Sequence, residues 1–236
     1  NGVDIGKTDV VDIVNAQLTL VNDITLYALR IDTTINSGVG QYNTIYFSNG
    51  PTDADRGGLI AYETAATLNV NLVFGKNDDG SITGDKEGII YVNNNPLTIA
   101  GDVYASSITK FGASNLVMAK DQTDDARGVG RGFSGNWSVN QGGLQLNTFG
   151  ASGAGEITLN PSSPSTAVGT TLILRANPGS ALNGQYTMSK VRVVDNAVID
   201  VNSALNDSTV SIGDLEVFST DTTGLFVLNL KSQAST

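Results

Sequence analysis

Short runs of alternating apolar and polar residues recur along the whole chain. The clearest run spans residues 66–74, where Leu68, Val70, Leu72 and Phe74 occupy every second position. Because successive side chains of a strand point to opposite faces, these four residues are predicted to share one buried face of a single strand. Similar runs lie at 16–20, 23–29, 96–99, 115–118, 143–146, 156–159, 171–174, 191–194, 198–201, 209–212 and 226–230. Gly, Asn, Asp, Ser or Pro bounds almost every run, so the pattern predicts many short strands joined by turns.

The spacing of the strands is close to regular. The last inward positions of selected strands follow one another at intervals of 21, 20, 15, 19, 19 and 18 residues: Met118, Val139, Leu159, Leu174, Val193, Ile212 and Leu230. A period of this size with two or three strands is typical of one coil of a β-solenoid. Each strand would pair with its equivalent one coil later, about 4.8 Å along the axis. The chain would supply on the order of ten coils.

An antiparallel β-sandwich or jelly roll is the alternative fold, since it also contains many short strands separated by turns. It requires hairpins. Asn49-Gly50 resembles a hairpin turn but is followed by the polar run 51–58, which is not a return strand. Asn183-Gly184, with apolar residues on both sides, is the better candidate. The pattern favours the solenoid without excluding the sandwich.

Composition agrees with an all-β chain and narrows the partners. Of the 23 acidic residues only four are glutamate, and Asp favours turns over helix interiors. The 27 glycines suit frequent tight turns. A net charge of −10 argues against nucleic acid and anionic membrane surfaces as partners, because both are bound mainly through clustered Lys and Arg.

The chain contains no cysteine and no histidine. Disulfides, thiolate sites, Ser-His triads and the commonest zinc ligand are therefore excluded. No segment reaches the roughly 18 apolar residues of a membrane helix, so insertion into a membrane is not expected. The chain begins at Asn1 without a signal-like apolar run, and we expect it to be a mature or excised piece of a longer protein.

Residues 108–160 resemble the autotransporter-associated β-strand repeat, also called the passenger-associated transport repeat. Residues 109–118, TKFGASNLVM, match its Thr-Lys-x-Gly-x-Gly-x-Leu-x-Leu strand. Residues 133–146, FSGNWSVNQGGLQL, match the aromatic-x-Gly turn and the strand that follows it, and 149–160 match the closing segment. The chain departs from the repeat at Ser114, where the family has glycine, and at Phe133, where it has tyrosine. A polar insertion at 120–131 also separates the two halves.

The resemblance implies a right-handed parallel β-helix that is exported through the outer membrane to the bacterial cell surface. Looser matches at 57–99 and 171–215 extend it over nearly the whole chain, so residues 1–236 are predicted to form one continuous β-helix segment. The repeat motif is structural, and it implies no shared catalytic residues.

The repeat also gives local predictions. Gly112 and Gly135 are expected at sharp corners that need glycine. Lys110 is expected on the outside, with its stem over an apolar neighbour. Leu116 and Met118 are predicted to point into the core, with another pair, Leu144 and Leu146, on a different face. Three asparagines near strand ends are expected to hydrogen-bond along the stack or to take left-handed conformations: Asn140, Asn147 and Asn160.

Residues 76–87, KNDDGSITGDKE, carry the strongest metal signal. With Gly80 as the central glycine of an EF-type loop, Asn77 and Asp79 fall on ligand positions. The first and last ligand positions are Gly75 and Lys86, which cannot supply carboxylates. An exposed turn is therefore favoured, and weak extracellular calcium binding is the alternative.

Two acidic pairs, Asp53/Asp55 and Asp124/Asp125, invite comparison with β-helical enzymes that cleave polysaccharides. General acid–base catalysis needs carboxylates that converge on one face, with at least one pKa raised by burial. Both pairs lie in polar, glycine-rich loops, and Arg127 and Arg131 beside the second pair do not change this. Solvated loops are favoured over catalysis.

The single tryptophan, Trp137, could form a carbohydrate-stacking platform with Phe133. Aromatic residues beside a turn more often pack against the core, and that interpretation is favoured. The sequons at 136–138 and 206–208 carry little meaning in a bacterial protein.

These observations predict a non-enzymatic extracellular scaffold: a β-helical stalk or passenger segment of a secreted bacterial surface protein, with an adhesive or self-associating role. No catalytic, metal or cofactor residues are predicted. The expected partners are further β-helix coils or a second copy, since the apolar run 226–230 is no polar cap, together with a host or glycan surface. The alternative is a β-helical polysaccharide-binding or polysaccharide-degrading protein, including the phage tail-spike type.

Overall fold

All regular elements in the described part of the chain are β-strands. The computed structural model describes residues 9–48, 57–76, 86–123, 133–159, 169–177, 183–201, 209–217 and 228–232. Sheet A runs in the order β1 (Val10–Ile13), β4 (Ala28–Ile31), β7 (Gly58–Ala61), β10 (Glu87–Val92), β13 (Ser107–Phe111), β15 (Asn136–Val139), β17 (Glu156–Leu159), β20 (Lys190–Val193) and β23 (Asp214–Val217). Sheet B runs in the order β2 (Leu18–Leu20), β5 (Ile35–Ser37), β8 (Ala66–Asn69), β11 (Leu97–Ile99), β14 (Asn115–Met118), β16 (Gly143–Leu146), β18 (Thr170–Leu174), β21 (Ala197–Val201) and β24 (Leu228–Ser232).

Two smaller sheets complete the strand set of the described residues. Sheet C contains β3 (Ile24–Leu26), β6 (Thr44–Ser48), β9 (Asn71–Lys76) and β12 (Val103–Tyr104). Sheet D pairs β19 (Asn183–Gln185) with β22 (Thr209–Ser211). In each of the first four coils the chain therefore passes through sheets A, B and C in turn before it returns to sheet A.

Every strand pairing between described residues is parallel and joins a strand to its equivalent one coil away. Leu116 illustrates the register, since it pairs with Leu97 on one side and Leu144 on the other. The predicted parallel β-helix is confirmed, and the antiparallel sandwich is wrong. Asn183-Gly184 forms no hairpin, because β19 pairs in parallel with β22. The other hairpin candidate, Asn49-Gly50, lies outside the described residues.

The regular interval predicted for the coils does not hold. The distance along the chain between paired residues ranges from 17 residues (Leu18 to Ile35) to 34 residues (Ile157 to Val191). The near-constant spacing arose because the chosen positions came from different sheets, with Met118 in sheet B and Val139 in sheet A. Coils tolerate this variation because extra residues are accommodated in the loops between strands.

Rows of aliphatic side chains fill the interior along the axis. One row of sheet B contains Ile35, Leu68, Ile99, Met118 and Leu146, each fully buried. Burying each such side chain contributes about 1.5–3 kcal/mol, so the column is the main source of stability. The predicted inward positions of Leu116 and Met118 are confirmed. Leu144 and Leu146 do not lie on a different face: they belong to the same sheet and stack on Leu116 and Met118 one coil along.

The run 66–74 is two strands and not one. Strand β8 ends at Asn69, the chain turns at Val70, and β9 begins at Asn71 in a different sheet. Leu68, Val70 and Leu72 are nevertheless all buried, because the corner rotates the chain while keeping the same side toward the axis. Alternation alone could not detect this corner, since the period of two continues through it.

Glycine is required at both predicted corners, for different reasons. Gly112 has a φ of +86°, a conformation that L-residues rarely adopt, and a Cβ there would also overlap the Val92 carbonyl. At Gly135 the requirement is space, because a Cβ would overlap the Ser106 carbonyl of the preceding coil.

The predicted asparagine ladder is found elsewhere. The amides of Asn140 and Asn147 accept hydrogen bonds from Ser138 and Gln145, two residues earlier in the chain, and not from a neighbouring coil. An amide contact between coils does occur where Asn69 Nδ2 donates to Asn36 Oδ1 at 2.7 Å. The two asparagines with left-handed φ are Asn15 and Asn94. Asn160 lies outside the described residues.

Candidate functional site

Most of the loops that carried sequence-based hypotheses of chemistry lie outside the described residues. This applies to residues 77–85 of the calcium candidate, to both acidic pairs (Asp53/Asp55 and Asp124/Asp125), to Arg127 and Arg131, and to the sequon at 206–208. Among the residues that are described, no three carboxylates, histidines or cysteines lie close enough together to hold a metal ion. None of the described residues forms a helix able to cross a membrane.

Trp137 belongs to the core, as predicted, and not to a binding platform. It is 1% exposed, and its ring meets that of Phe133 edge-on at a centroid distance of 5.5 Å. Its indole Nε1 donates a 2.9 Å hydrogen bond to the Ser152 carbonyl. The two aromatic rings are therefore already occupied by the fold.

Lys110 does not lie on the outside as predicted. It is 0% exposed and occupies an inward row of sheet A, between Ile90 of β10 and Val139 of β15. Alternation in β13 contains this information, because Ile108 and Lys110 share one side of the strand. The expectation that a cation faces solvent was given more weight than the strand period, and that weighting was wrong.

Three backbone carbonyls surround the Lys110 Nζ. It donates to Gly112 O and Gln141 O, both at 2.6 Å, and to Ser114 O. An ammonium has three N–H donors, so the three acceptors satisfy it completely. Burial lowers the pKa of Lys110 to about 7, since desolvation disfavours the charged form. With no exposed surface, the amine has no access to a substrate, and its role is to hold two consecutive corners together.

Polar side chains at the corner before sheet C form a second network. Asp23 Oδ1 accepts from Thr44 N at 2.8 Å, and Asn71 Oδ1 accepts from Asp102 N at 2.9 Å. Gln122 Oε1 accepts from Val103 N at 2.9 Å in the same way. Each side chain satisfies a backbone N–H that the turn leaves without a strand partner. We call this set the corner network.

A polar cleft opens beside the corner network. Its volume is about 340 Å³, and its lining residues are Ser37, Gln41, Tyr42, Asn69, Asn71, Ala100, Gly101 and Lys120. Tyr42 is 65% exposed, whereas Asn71 is only 2% exposed. We call this the Asn71 cleft.

Two buried groups at the Asn71 cleft have unused hydrogen-bonding capacity. Asn71 Nδ2 has no hydrogen-bond partner among the described residues. Lys120 Nζ lies 2.6 Å from Asp102 Oδ1, which is an ion pair by distance although its angles are not those of a hydrogen bond. Asp102 Oδ2 has no partner in the described structure, and Asp102 is 4% exposed. Buried polar atoms are normally paired, so these atoms mark a place where another molecule fits.

Sequence reasoning missed this cleft. Asn71 was placed on the outer side of a single strand 66–74, and the corner at Val70 changes its surroundings. Asp102 and Lys120 carried no recognised motif. The only local signal was the polar residue at the start of two short strands, Asn71 before β9 and Asp102 before β12.

A wider cleft of about 650 Å³ lies near sheet D, lined by Gln185, Tyr186, Thr187, Met188, Ser189, Ile212, Gly213 and Asp214. Tyr186 is turned into the core there: its hydroxyl donates to Leu146 O at 3.3 Å and accepts from Ala176 N at 2.9 Å. Burial raises the pKa of Tyr186 to about 12. Asp214 is the one charged residue of this lining, and the cleft shows no convergent polar groups comparable to those of the Asn71 cleft.

Charged residues form a ladder on the outer face of sheet A. Glu216 Oε2 accepts from Lys190 Nζ at 3.1 Å and from Arg192 Nη2 at 3.1 Å. Arg192 Nε also lies 3.5 Å from Glu156 Oε1. The hydrogen bond from Lys190, then that from Arg192, lowers the pKa of Glu216. The ladder links three successive coils and is solvent-accessible, which is typical of a structural surface.

No protein-family model matches this chain, and comparisons with curated proteins and with solved structures gave no match.

Proposed function

We propose that this chain is a non-enzymatic structural segment of an exported bacterial surface protein, where it serves as a stalk or adhesive body. The observation that carries the proposal is the pair of nine-stranded parallel sheets wrapped around one apolar column. The similarity of residues 108–160 to the autotransporter-associated repeat supplies the expectation of export to the cell surface.

The energetics of stacked coils support this role. Each coil contacts its neighbours along the axis, so stability is approximately a sum of coil and interface terms, and folding can propagate from one coil to the next. A chain of this kind folds as it emerges from a translocation pore, without needing contacts between its distant ends. The near absence of long-range closure suits a protein that crosses a membrane unfolded.

The buried chemistry of the described residues also favours a structural role. Lys110 is fully satisfied by backbone carbonyls, and Trp137 is fully packed. Groups that are enclosed and paired in this way stabilise corners and do not meet a substrate.

A surface-display chimera tests the proposal. Residues 1–236 would replace the passenger of a bacterial autotransporter, upstream of its translocating barrel, and surface exposure would be measured by protease accessibility on intact cells. We expect the chain to reach the surface and to leave a protease-resistant fragment. The matched control is the same chimera with Leu116→Asp, which places an unpaired charge in the column.

Two results would contradict the proposal. The first is retention of the unmodified chain in the periplasm. The second is a depolymerising activity on acidic or neutral glycans that is lost in Asp124→Ala or Asp79→Ala, since that would make the chain an enzyme.

Homotypic association is part of the proposal. Within the described residues β1 and β23 are the outermost strands of sheet A, and a strand edge offers unpaired backbone groups to another chain. We expect light scattering to show concentration-dependent association of the isolated chain. A stable monomer at high concentration would remove this part while leaving the display experiment valid.

A further inference from the structure

We propose that the Asn71 cleft binds a neutral sugar through Asn71 and Asp102, with the ring of Tyr42 as a stacking surface. This adds a ligand to the adhesive role proposed above but rests on the cleft alone. A cleft that binds no sugar would leave the scaffold proposal to its own display experiment.

The orientation of the Asn71 amide is set by its neighbour. Asp102 N–H needs an acceptor and finds Asn71 Oδ1 at 2.9 Å, so the other end of the amide is the NH₂ group. Nδ2 is therefore a donor, it is enclosed, and it has no partner among the described residues. Its residue lines the cleft, so a ligand in the cleft can reach it.

A complementary acceptor lies next to this donor in the fold. Asp102 follows the lining residue Gly101 and forms an ion pair with the lining residue Lys120. With Oδ1 engaged by Lys120, Oδ2 remains as an acceptor without a partner in the described structure. A hydroxyl group both donates and accepts, so adjacent hydroxyls of one ligand satisfy the amide donor and the carboxylate acceptor together.

The charge balance of the cleft selects a neutral ligand. Lys120 is the charged residue in the lining, and the carboxylate of Asp102 at 2.6 Å neutralises it. The other polar lining residues are uncharged amides and hydroxyls. An anionic sugar would have to compete with Asp102 for Lys120, whereas a neutral polyol keeps the ion pair intact.

Size and the aromatic lining residue agree with a pyranose. A volume of about 340 Å³ lies at the lower end of the range for small-molecule sites. Tyr42 is 65% exposed and presents an apolar ring with a polar tip at the cleft. The C–H face of a sugar ring packs on such a surface while its hydroxyls reach the enclosed polar groups.

The experiment titrates the intact chain with glucose, galactose, mannose and N-acetylglucosamine, and with glucuronate as the anionic probe. Binding is followed by ligand-detected NMR and by calorimetry. We expect at least one neutral sugar to bind saturably with a Kd on the order of 1 mM, and glucuronate to bind more weakly. Absence of binding by all four neutral sugars would overturn the proposal and assign the cleft to ordered water. Stronger binding of glucuronate than of any neutral sugar would also overturn it.

Variants locate the site. Tyr42→Ala should weaken binding at least about tenfold, because it removes the stacking surface. The matched control is Tyr91→Ala, which removes a 37% exposed tyrosine from the outer face of sheet A, away from the cleft. Unchanged binding in the Tyr42 variant, or equal loss in both variants, would overturn the assignment. Asn71→Leu should abolish binding, and where it fails to fold by circular dichroism, the Tyr42 and Tyr91 pair decides the question.

Discussion

The Lys110 Nζ donates a 2.6 Å hydrogen bond to the Gln141 carbonyl, which belongs to the following coil. The same ammonium holds the Gly112 carbonyl at its own corner. One buried side chain thus ties two consecutive turns between sheets A and B. It replaces an aliphatic residue in an inward row, and this substitution has measurable consequences.

Stability should depend on pH through Lys110. Its pKa is about 7 in the folded chain and 10.5 in the unfolded chain, so between these values the unfolded state binds a proton that the folded state lacks. Stability therefore rises with pH across this window, by up to about 1.4 kcal/mol per pH unit, and the penalty of burial is greatest below pH 7.

Urea unfolding at several pH values between 7 and 10.5 measures this dependence in the unmodified chain and in Lys110→Met. The difference between the two slopes isolates Lys110 from the other titrating groups. Parallel slopes would show that Lys110 remains charged in the folded state.

Tyr186 should produce the opposite dependence at higher pH. Burial raises its pKa to about 12 from 10.0, so above pH 10 the unfolded state loses a proton that the folded state keeps. Stability should fall as pH rises from 10 to 12. Tyr186→Phe should abolish this decline. At pH 8 the variant should cost about 1–3 kcal/mol, since Ala176 N loses its acceptor. A decline that is unchanged in the variant would assign the effect to other groups.

Gly112→Ala should destabilise the chain by more than about 2 kcal/mol, because it combines a strained φ with overlap at the Val92 carbonyl. The matched control is Gly40→Ala. Gly40 has a similar φ of +71° but no heavy atom within 4 Å of an added Cβ. Its cost should be limited to the backbone strain of about 1–2 kcal/mol. Thermal unfolding of both variants checks the difference, and equal losses would show that the overlap is relieved by a small backbone shift.

Trp137 provides an optical test of the core. As the single tryptophan at 1% exposure, it should emit at short wavelength and resist quenching by acrylamide. Unfolding in urea should shift the emission to longer wavelength and remove the protection. Efficient quenching in the folded state would contradict its packing against Phe133 and return it to the surface.

Part of the site could have been predicted from local pattern and part could not. Alternation in β13 places Lys110 on the same side as Ile108, so its inward position was available from the sequence. Its acceptors were not available, because Gln141 comes from the next coil and meets the amine only once β13 and β15 are in register. The Asn71 cleft needed still more, since its lining comes from several coils.

The sequence by itself determined the strand content, the alternation that makes one side of each strand apolar, and the glycines at the corners. These are local properties, set by backbone sterics and by the period of two. The tertiary structure decided the register between coils, the corner at Val70, and the convergence of Asn71, Asp102 and Lys120. Loops of variable length separate successive coils, so the residues that meet along the axis are fixed by packing of the column and not by their distance along the chain.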